Sequence, residues 1–362
     1  MFAPPEELLE VQSKLLPWLQ QKMPQAQNLS ISEMKVPEAG FSTDTFLFDA
    51  NWEEAGQQKS EGMVIRRPPE LSIWPDYDLG LQVDIMQCLQ ETNIPVPKIH
   101  WMERDESILG SPFFIMNKVE GVIPSSFPLY HTYGIYLEAS PAQRTQIWWA
   151  FLDALVKIHL LDWKSLGLSS LDVPKGGTGP VDWLLNYNES YLNWVNVEKE
   201  PLPILEAALD WLKRNRYTPE HVTLCWGDSR LSNVIYSADF EVAAVLDWEM
   251  AYLGDPESDL GWAIFLEWSN SYGSDITPLE GTPGREEIVQ RYQELTGWKV
   301  NNLFYNEVLA PFRLGVSMLR LFNNLKQAGI ALLPEDFDLN NPCTQRLAGL
   351  LNLPPPNQAQ GL

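Results

Sequence analysis

The hydrophobic positions at the start of the chain follow a helical period. Apolar residues recur at three- and four-residue spacing between Leu8 and Leu19, which predicts an amphipathic helix from Pro5 to Lys22. Pro17 falls inside this pattern and should kink the helix. We therefore expect residues 1–24 to form one helix that packs its apolar face on the rest of the protein.

The period then shortens between about residue 30 and residue 117. Runs rich in β-branched and aromatic residues predict strands, the clearest of which are Thr45–Phe48, Met63–Arg66 and Phe113–Met116. One helical pattern, near Leu79–Gln90, interrupts these runs. This mixture predicts a small α/β lobe over residues 25–117.

Helical spacing returns beyond this point and dominates the remainder of the chain. The clearest helix is predicted over Gln143–Leu161, and further helices are expected through Leu347. Two short strands, Asn233–Tyr236 and Val242–Leu246, flank a polar segment with the length of a hairpin turn. We thus expect a mainly helical lobe over residues 118–352 and a frayed proline-rich tail over residues 353–362.

Composition agrees with two lobes that share a substantial core. The chain has 362 residues, 45% of them hydrophobic, and includes 15 Trp, 12 Tyr and 14 Phe, so it can bury a large apolar surface. The three cysteines form neither a CxxC pair nor an even disulfide framework, which favours a reducing compartment and argues against a zinc site.

The net charge and the sequence of the amino terminus limit the kinds of partner and the compartment that we expect. A formal charge of −23 would repel nucleic acid, and no concentrated basic patch offsets it, whereas a cationic substrate would be attracted. The amino terminus lacks the basic and apolar regions of a signal peptide, and no apolar run approaches the roughly 18 residues needed to cross a membrane. We expect a cytoplasmic protein with no membrane partner.

Three oxygen-bearing side chains follow one another in a pattern suited to phosphoryl transfer. Asp228 precedes a loop, Asn233 lies at the predicted start of a strand, and Asp247 ends the next strand of the hairpin. Phosphoryl transfer needs a carboxylate beside the attacking hydroxyl and hard oxygen ligands for magnesium on the phosphates. The pattern therefore predicts that these three side chains meet in one site.

With these residues the sequence resembles the aminoglycoside phosphotransferase (APH)-like family, in the branch related to the kinase-like domain associated with acyl-CoA dehydrogenases. The family pattern is approximately H-G-D-x-x-x-x-N, then L-D-W-E and G-D-P-x-x-D-L, and residues 226–233, 246–249 and 254–260 match it. The departure is Trp226, where the family commonly has His. The resemblance implies an α+β, protein-kinase-like two-lobe fold.

The resemblance also implies a function and a role for each of these three residues. The protein would be an ATP-dependent small-molecule kinase, with ATP or GTP as co-substrate and Mg²⁺ as cofactor. Asp228 would face and deprotonate the hydroxyl acceptor, and Asn233 and Asp247 would hold the metal. The branch further implies hydroxyacyl acceptors, although the sequence itself does not name the acceptor.

In the N-lobe, as we term residues 25–117, the resemblance assigns the nucleotide contacts. Ser42 and Thr43 would cover the phosphates, and Arg66 would take the place of the phosphate-pairing Lys, since a guanidinium can bridge two phosphate oxygens. Our alignment puts Gln82 where a Glu would hold that cation. Asp78, one helical turn earlier, is a possible substitute.

The hinge between the N-lobe and the C-lobe (residues 118–352) would bind the adenine through backbone groups of Asn117 and Val119. The family position of His159 indicates a hydrogen-bonded structural residue. Asp255 and Asp259 suit turn and helix-cap positions that support the catalytic loop.

A second hypothesis stays open beside the kinase. Gln82 cannot neutralise Arg66, and together with Trp226 it admits a nucleotide-binding pseudokinase with a regulatory role. No GxSxG elbow and no P-loop motif is present, so hydrolase and P-loop classes have no support. Acceptor choice would depend on the aromatic-rich segments near residues 123–133 and 183–194. The oligomeric state is open.

Overall fold

The computed structural model of the protein describes residues 5–37, 44–69, 72–75, 77–171, 179–327, 329 and 333–356. A five-stranded antiparallel sheet, in the order β1-β2-β3-β5-β4, forms the N-lobe together with two helices. Its elements are α1 (Pro5–Lys22), β1 (Gln27–Ile31), β2 (Asp44–Glu54), β3 (Gln57–Arg67), α2 (Leu79–Leu89), β4 (Ile99–Glu103) and β5 (Phe113–Asn117).

The alternation of side chains along β3 decides which way Arg66 points. Met63 and Ile65 pack against α1 on one face of the sheet, whereas Val64 belongs to the core on the other face, with α2 and the C-lobe. Because successive side chains of a strand point to opposite faces, Arg66 shares the face of Val64. The strand therefore directs Arg66 into the cleft between the lobes.

The C-lobe is mainly helical and contains two short two-stranded sheets. Strand β6 pairs with β9 and β7 pairs with β8, both antiparallel. The elements are α3 (Ile135–Glu138), α4 (Pro141–His159), α5 (Pro180–Val195), α6 (Pro203–Arg214), β6 (Thr223–Cys225), β7 (Val234–Tyr236), β8 (Val242–Val245), β9 (Tyr252–Gly254), α7 (Pro256–Asn270), α8 (Arg285–Thr296), α9 (Leu303–Gln327) and α10 (Pro342–Leu351).

Helix α7 forms the centre of this lobe. It is buried from Pro256 to Glu267, including its polar residues, and it packs along α9. A helix covered on all sides loses the usual polar stripe, so each polar group it carries must be satisfied by the protein. Among the described residues, no helix is long and apolar enough to cross a membrane.

Most of the expected elements are confirmed, with shifted ends. The first helix spans the expected residues and contains Pro17. The predicted hairpin is present but shorter than expected: Asn233 closes a 3-10 turn before β7, and β8 stops at Val245, ahead of Asp247. Asp247 cannot extend the strand because its backbone is left-handed, with φ of 64°.

The lobes are joined where the segment after β5, which we call the hinge, crosses the β7–β8 hairpin at Val122. Val122 and Tyr236 exchange two backbone hydrogen bonds of 2.8 Å, and Val245 N–H donates to the Pro95 carbonyl, also at 2.8 Å. Gly121, with φ of 152°, lies so close that a Cβ there would come within 2.4 Å of the Tyr236 carbonyl oxygen. Only glycine fits at this crossing.

We therefore predict that Gly121→Ala destabilises the protein by separating the hinge from the hairpin. The expected result is a lower Tm and a smaller rise in Tm when nucleotide is added, both measured by differential scanning calorimetry. Gly349→Ala is the matched control, because no heavy atom lies within 4 Å of the added Cβ and the site is helical. Equal Tm changes in the two variants would contradict the assignment.

Candidate active site

The loop that joins β6 to β7 carries Asp228 and is held in an unusual conformation. Gly227 has φ of 86°, and a Cβ at this position would approach the Met250 carbonyl oxygen to 2.0 Å. A side chain is thus excluded twice, by the left-handed backbone and by the neighbouring chain. This turn places Asp228 directly after the buried strand β6.

Asp259, on the first turn of α7, holds the backbone of the same loop. Its carboxylate accepts the N–H groups of Trp226 at 2.6 Å and Gly227 at 2.9 Å, and its own carbonyl accepts Ser229 Oγ at 2.7 Å. Asp259 is fully buried. The expectation that Asp259 supports the loop that carries Asp228 is confirmed, although its carboxylate binds that loop and not the end of its own helix.

A histidine continues this network away from the loop. His159 lies 3.1 Å from Asp259 Oδ2 through Nε2 and 2.8 Å from the Tyr292 hydroxyl through Nδ1. All three side chains are buried. The predicted structural role of His159 is confirmed, because both ring nitrogens are used inside the core. Asp255, as expected, caps α7 by accepting the Glu257 N–H at 3.0 Å.

The Asp228 carboxylate is bound on both oxygens. Asn233 Nδ2 donates to Oδ2 at 2.8 Å and Arg230 Nε lies 3.1 Å from the same oxygen, while Trp262 Nε1 donates to Oδ1 at 2.9 Å. The Asp228 side chain remains 14% exposed, so one edge still faces the cleft. The carboxylate is therefore oriented before any ligand binds.

Asn233 and Asp247 lie at the same end of the β7–β8 hairpin. The Leu246 N–H donates to the Asn233 carbonyl at 2.8 Å, which brings the two positions side by side just beyond the paired strands. Since the Asn233 amide nitrogen points at Asp228, its amide oxygen is the group available on the other side. The structure thus brings Asp228, Asn233 and Asp247 together, as their spacing predicts.

Arg66 meets this group from the N-lobe. Its Nη2 donates to Asp247 Oδ1 at 2.7 Å, across the cleft. Burial opposes the charge on Arg66, but Asp247, Tyr77 and Glu249 outweigh that effect and hold the pKa of the guanidinium above its ordinary value. Arg66 is therefore a fixed cation, and its carboxylate partner in this structure comes from the C-lobe.

The two candidates for holding Arg66 from α2 are engaged elsewhere. Asp78 is the N-cap of α2 and accepts the Leu81 N–H at 3.1 Å, so the suggestion that it substitutes for a Glu partner of Arg66 is wrong. Gln82 donates to the Tyr77 hydroxyl at 3.0 Å. An N-cap carboxylate is directed at the backbone of its own helix, so the Asp78 side chain points to α2 and does not pair with Arg66.

The remaining nucleotide-contact predictions concern the phosphate loop and the hinge. Ser42 and Thr43 lie outside the described residues. The Asn117 N–H donates to the Lys98 carbonyl at 2.9 Å, and the Asn117 amide oxygen accepts the Lys98 N–H. An adenine contact at Asn117 would therefore use a group other than its N–H. Val119 lies two residues beyond the end of β5, and its adenine contact stays a prediction.

Trp226, where the related pattern commonly has His, is a packing residue with one polar contact. It is fully buried, and its indole N–H donates to the Leu246 carbonyl at 2.8 Å. This bond ties the start of the catalytic loop to the residue before Asp247. The departure from the pattern thus keeps a hydrogen bond that steadies the site.

The donor set fits a magnesium ion that shares its coordination with a phosphorylated ligand. Asp247 offers a carboxylate and Asn233 an amide oxygen, both hard donors. Within the described part of the chain no cluster of three or more His, Cys, Asp or Glu side chains is arranged to hold a metal. The two protein ligands alone would bind magnesium weakly, so phosphate oxygens would have to complete the site.

A cavity of about 160 Å³ lies beside the loop that carries Asp228. Its walls combine aromatic and polar side chains from four segments, among them Tyr130, Trp148, Phe151, Arg230, Ser232 and Glu267. Cavities near this size accept a ligand as large as benzene. The segment 123–133 contributes to this cavity, whereas Tyr187 and Tyr191 of segment 183–194 pack in or against the core around α5.

The chain belongs to the phosphotransferase enzyme family (APH), whose pattern matches residues 33–299. Acyl-CoA dehydrogenase family member 10 of Mus musculus is 29% identical over 245 residues, which cover 64% of this chain and 21% of that protein. Acyl-CoA dehydrogenase family member 11 of Rattus norvegicus is 28% identical over 270 residues, covering 70% of this chain and 32% of that protein. The chain thus spans about a third or less of the length of these relatives.

Solved structures of the same architecture agree with this family. A protein of Ralstonia eutropha JMP134, named for the aminoglycoside phosphotransferases, has a TM-score of 0.66 at 23% identity, covering 93% of this chain and 95% of that one. An aminoglycoside phosphotransferase solved as a ternary complex with ADP and hygromycin B has a TM-score of 0.57 at 14% identity, covering 94% and 98%. The predicted family resemblance and kinase-like fold are confirmed.

Three polar residues of the site have no counterpart in the sequence analysis. Arg230 and Trp262 contact the Asp228 carboxylate, and Arg313 Nη2 reaches the Gly227 carbonyl at 3.5 Å. Arg230 stands in the same loop and could have been noticed there. Trp262 and Arg313 are 34 and 86 positions from the residues they contact, so no local spacing signals them.

We predict that Asp259→Asn destabilises the catalytic loop. The new amide places an N–H₂ group against backbone donors, which leaves at least one of them unpaired and should lower the free energy of unfolding by about 1–3 kcal/mol. Urea unfolding followed by circular dichroism measures this loss. Asp239→Asn, in the exposed turn of the β7–β8 hairpin, makes the same chemical change as a control and should have no measurable effect.

Proposed function

We propose that this protein is an ATP-dependent small-molecule kinase that transfers the γ-phosphate to a hydroxyl group of a small acceptor. The observation that carries the proposal is the meeting of Asp228, Asn233 and Asp247 at one end of the β7–β8 hairpin, with Arg66 reaching them from the N-lobe. Membership of the phosphotransferase family supports the same chemistry.

Each residue has a distinct part in the proposed reaction. Asp228 accepts a hydrogen bond from the acceptor hydroxyl and orients its oxygen toward the γ-phosphate. It takes the hydroxyl proton as the bond from that oxygen to the γ-phosphorus forms and the bond from the γ-phosphorus to the leaving ADP breaks. Arg66 binds phosphate oxygens, for which its planar fork is suited. Because the transition state of phosphoryl transfer is loose, Asp228 contributes chiefly by positioning the hydroxyl.

Magnesium would be held by Asn233 and Asp247 and would neutralise charge on the phosphates. Arg66 and Asp247 bind each other at 2.7 Å, and phosphate and a metal ion are the opposite charges that could replace this contact. The proposed cofactor and co-substrate are therefore expected to bind together.

The acceptor would enter from the C-lobe side of Asp228. Arg230 lines the cavity of about 160 Å³ and its Nε lies 3.1 Å from Asp228 Oδ2, so this one side chain connects the cavity to the proposed base. A mixed aromatic and polar wall suits a small alcohol with an apolar portion. The adenine would lie against the hinge near Val119.

The alternative, a nucleotide-binding pseudokinase, has one observation in its favour. Gln82 Oε1 is buried without a hydrogen-bond partner among the described residues, and Gln82 carries no charge that could pair with Arg66 from α2. A protein of this kind would bind nucleotide and magnesium but consume no γ-phosphate with any acceptor.

An acceptor screen separates the two proposals. The wild-type protein is incubated with ATP and magnesium together with hydroxyacyl thioesters, free hydroxy acids, amino alcohols or aminoglycosides, and ADP release is followed. We expect at least one acceptor to raise ADP release well above the rate with water alone. Nucleotide binding without any acceptor-dependent release would support the pseudokinase.

We further predict opposite effects of two substitutions in this site. Asp228→Asn should leave the affinity for the ATP analogue AMP-PNP with magnesium within about twofold, while turnover falls by roughly 10²- to 10⁴-fold because the group that orients and deprotonates the hydroxyl is lost. Asp247→Asn should weaken the magnesium-dependent part of nucleotide affinity. Calorimetric titration and ADP release measure these effects, and full turnover of Asp228→Asn would refute the assignment of the base.

A further inference from the structure

We propose that Trp262 and Arg313 are positioning residues for Asp228, forming a relay in which the Arg313 guanidinium lies on the face of the indole whose N–H binds the Asp228 carboxylate. The kinetic part of this inference rests on the proposed kinase function. The structural part, a hydrogen bond whose strength depends on Arg313, does not.

The two oxygens of Asp228 are held by different parts of the protein. Oδ2 is bound from within its own loop, by Asn233 and Arg230, whereas Oδ1 accepts the Trp262 N–H from α7 at 2.9 Å. A carboxylate bound through one oxygen can still rotate about its last bond. The contact from Trp262 fixes the plane of the Asp228 carboxylate against a buried helix.

Trp262 is itself fixed by its place on that helix. It is 2% exposed and follows Asp259 at i,i+3 spacing, so the two side chains lie on the same face of α7. Asp259 holds the loop backbone while Trp262 holds the carboxylate. One turn of helix thus determines both the position and the orientation of Asp228.

Arg313 supports Trp262 from α9 in an arrangement that needs an explanation. Its guanidinium carbon lies 4.9 Å from the centre of the Trp262 ring and 5.7 Å from that of Tyr252, and the residue is 5% exposed. Among the described residues no carboxylate lies within ion-pair distance of Arg313. A buried cation without a carboxylate is costly, and aromatic faces offset only part of that cost.

The chemistry of an indole gives this cation a role. A positive charge over the ring draws electron density toward it, which makes the indole N–H a stronger donor. The Asp228 carboxylate, bound at the N–H edge of the ring, then completes a chain from the Arg313 cation through the polarised indole to an anion. Removing the cation should weaken the bond to Asp228 even though Arg313 does not touch that carboxylate.

The helix supplies a matched control. Arg346 lies 4.7 Å above the ring of Trp268, further along α7, in the same type of cation–π contact. Trp268 makes no hydrogen bond to Asp228, whose Oδ1 is bound by Trp262. Substitutions in this second pair therefore reproduce the loss of a cation–π contact on α7 without affecting the proposed base.

The first test needs no catalysis. In the full chain labelled with ¹⁵N-tryptophan, the Trp262 indole N–H resonance is assigned by its loss in Trp262→Phe. We expect it to move upfield in Asp228→Asn and, to a smaller extent, in Arg313→Met, and to stay in place in Arg346→Met. A Trp262 resonance that ignores Asp228→Asn, or that responds equally to Arg346→Met, would overturn the relay.

The second test measures the consequence for the proposed reaction. Trp262→Phe and Arg313→Met should each lower kcat by about 10-fold to 100-fold with KM for nucleotide nearly unchanged, since misplacing a reacting group can cost about 100-fold. Arg313→Met should have a much smaller effect once Trp262 is Phe, because the part carried by the indole is then already lost and only the contact of Arg313 with the Gly227 carbonyl remains to be removed. Additive losses, or equal losses in Trp268→Phe and Arg346→Met, would contradict the inference.

These tests distinguish failure of the relay from failure of the proposed function. If Trp262→Phe fails to fold, Arg313→Lys, which keeps the cation, should retain most of the kcat that Arg313→Met loses, and equal kcat values would overturn the relay. If the wild-type protein transfers phosphate to no acceptor, the proposed function fails, while the resonance of Trp262 still decides whether the relay exists.

Discussion

The candidate site depends on one buried interaction, the acceptance of two backbone N–H groups by the Asp259 carboxylate. The Trp226 indole N–H holds only the start of the turn after β6, through the Leu246 carbonyl, and the left-handed Gly227 is intrinsically unfavourable to order. A fully buried carboxylate is costly unless its lone pairs are used, and here the cost is offset by the loop N–H groups and by His159. The loop and α7 therefore form one rigid unit, and this unit fixes the position of Asp228.

The second constraint is the charge balance across the cleft. The sheet alternation that turns Arg66 toward the C-lobe and the left-handed backbone that ends β8 before Asp247 bring two opposite charges together at 2.7 Å. Separating these two charges inside the cleft is unfavourable unless other charges replace the contact. This reasoning connects local backbone geometry to the expectation that nucleotide and magnesium bind as a pair.

The sequence predicted well whatever depends on local period or on short spacing. The first helix, the strands β2, β3 and β5, the hairpin and the proximity of Asp228, Asn233 and Asp247 follow from such patterns. It predicted poorly what depends on contacts between distant segments. Trp262 and Arg313 could not be linked to a loop far from them in the chain. Such contacts arise from packing of α7 and α9, which no single window of sequence contains.

The most direct test of the account is the fate of isotopically labelled phosphate. ATP carrying ¹⁸O at all oxygens of its γ-phosphate is supplied with an acceptor in ordinary water, and the products are analysed by mass spectrometry. If the site transfers the γ-phosphate to an alcohol, the ester will carry three ¹⁸O atoms from ATP and one bridging ¹⁶O from the acceptor. Recovery of the label only in inorganic phosphate, with no labelled ester from any acceptor, would contradict the central claim.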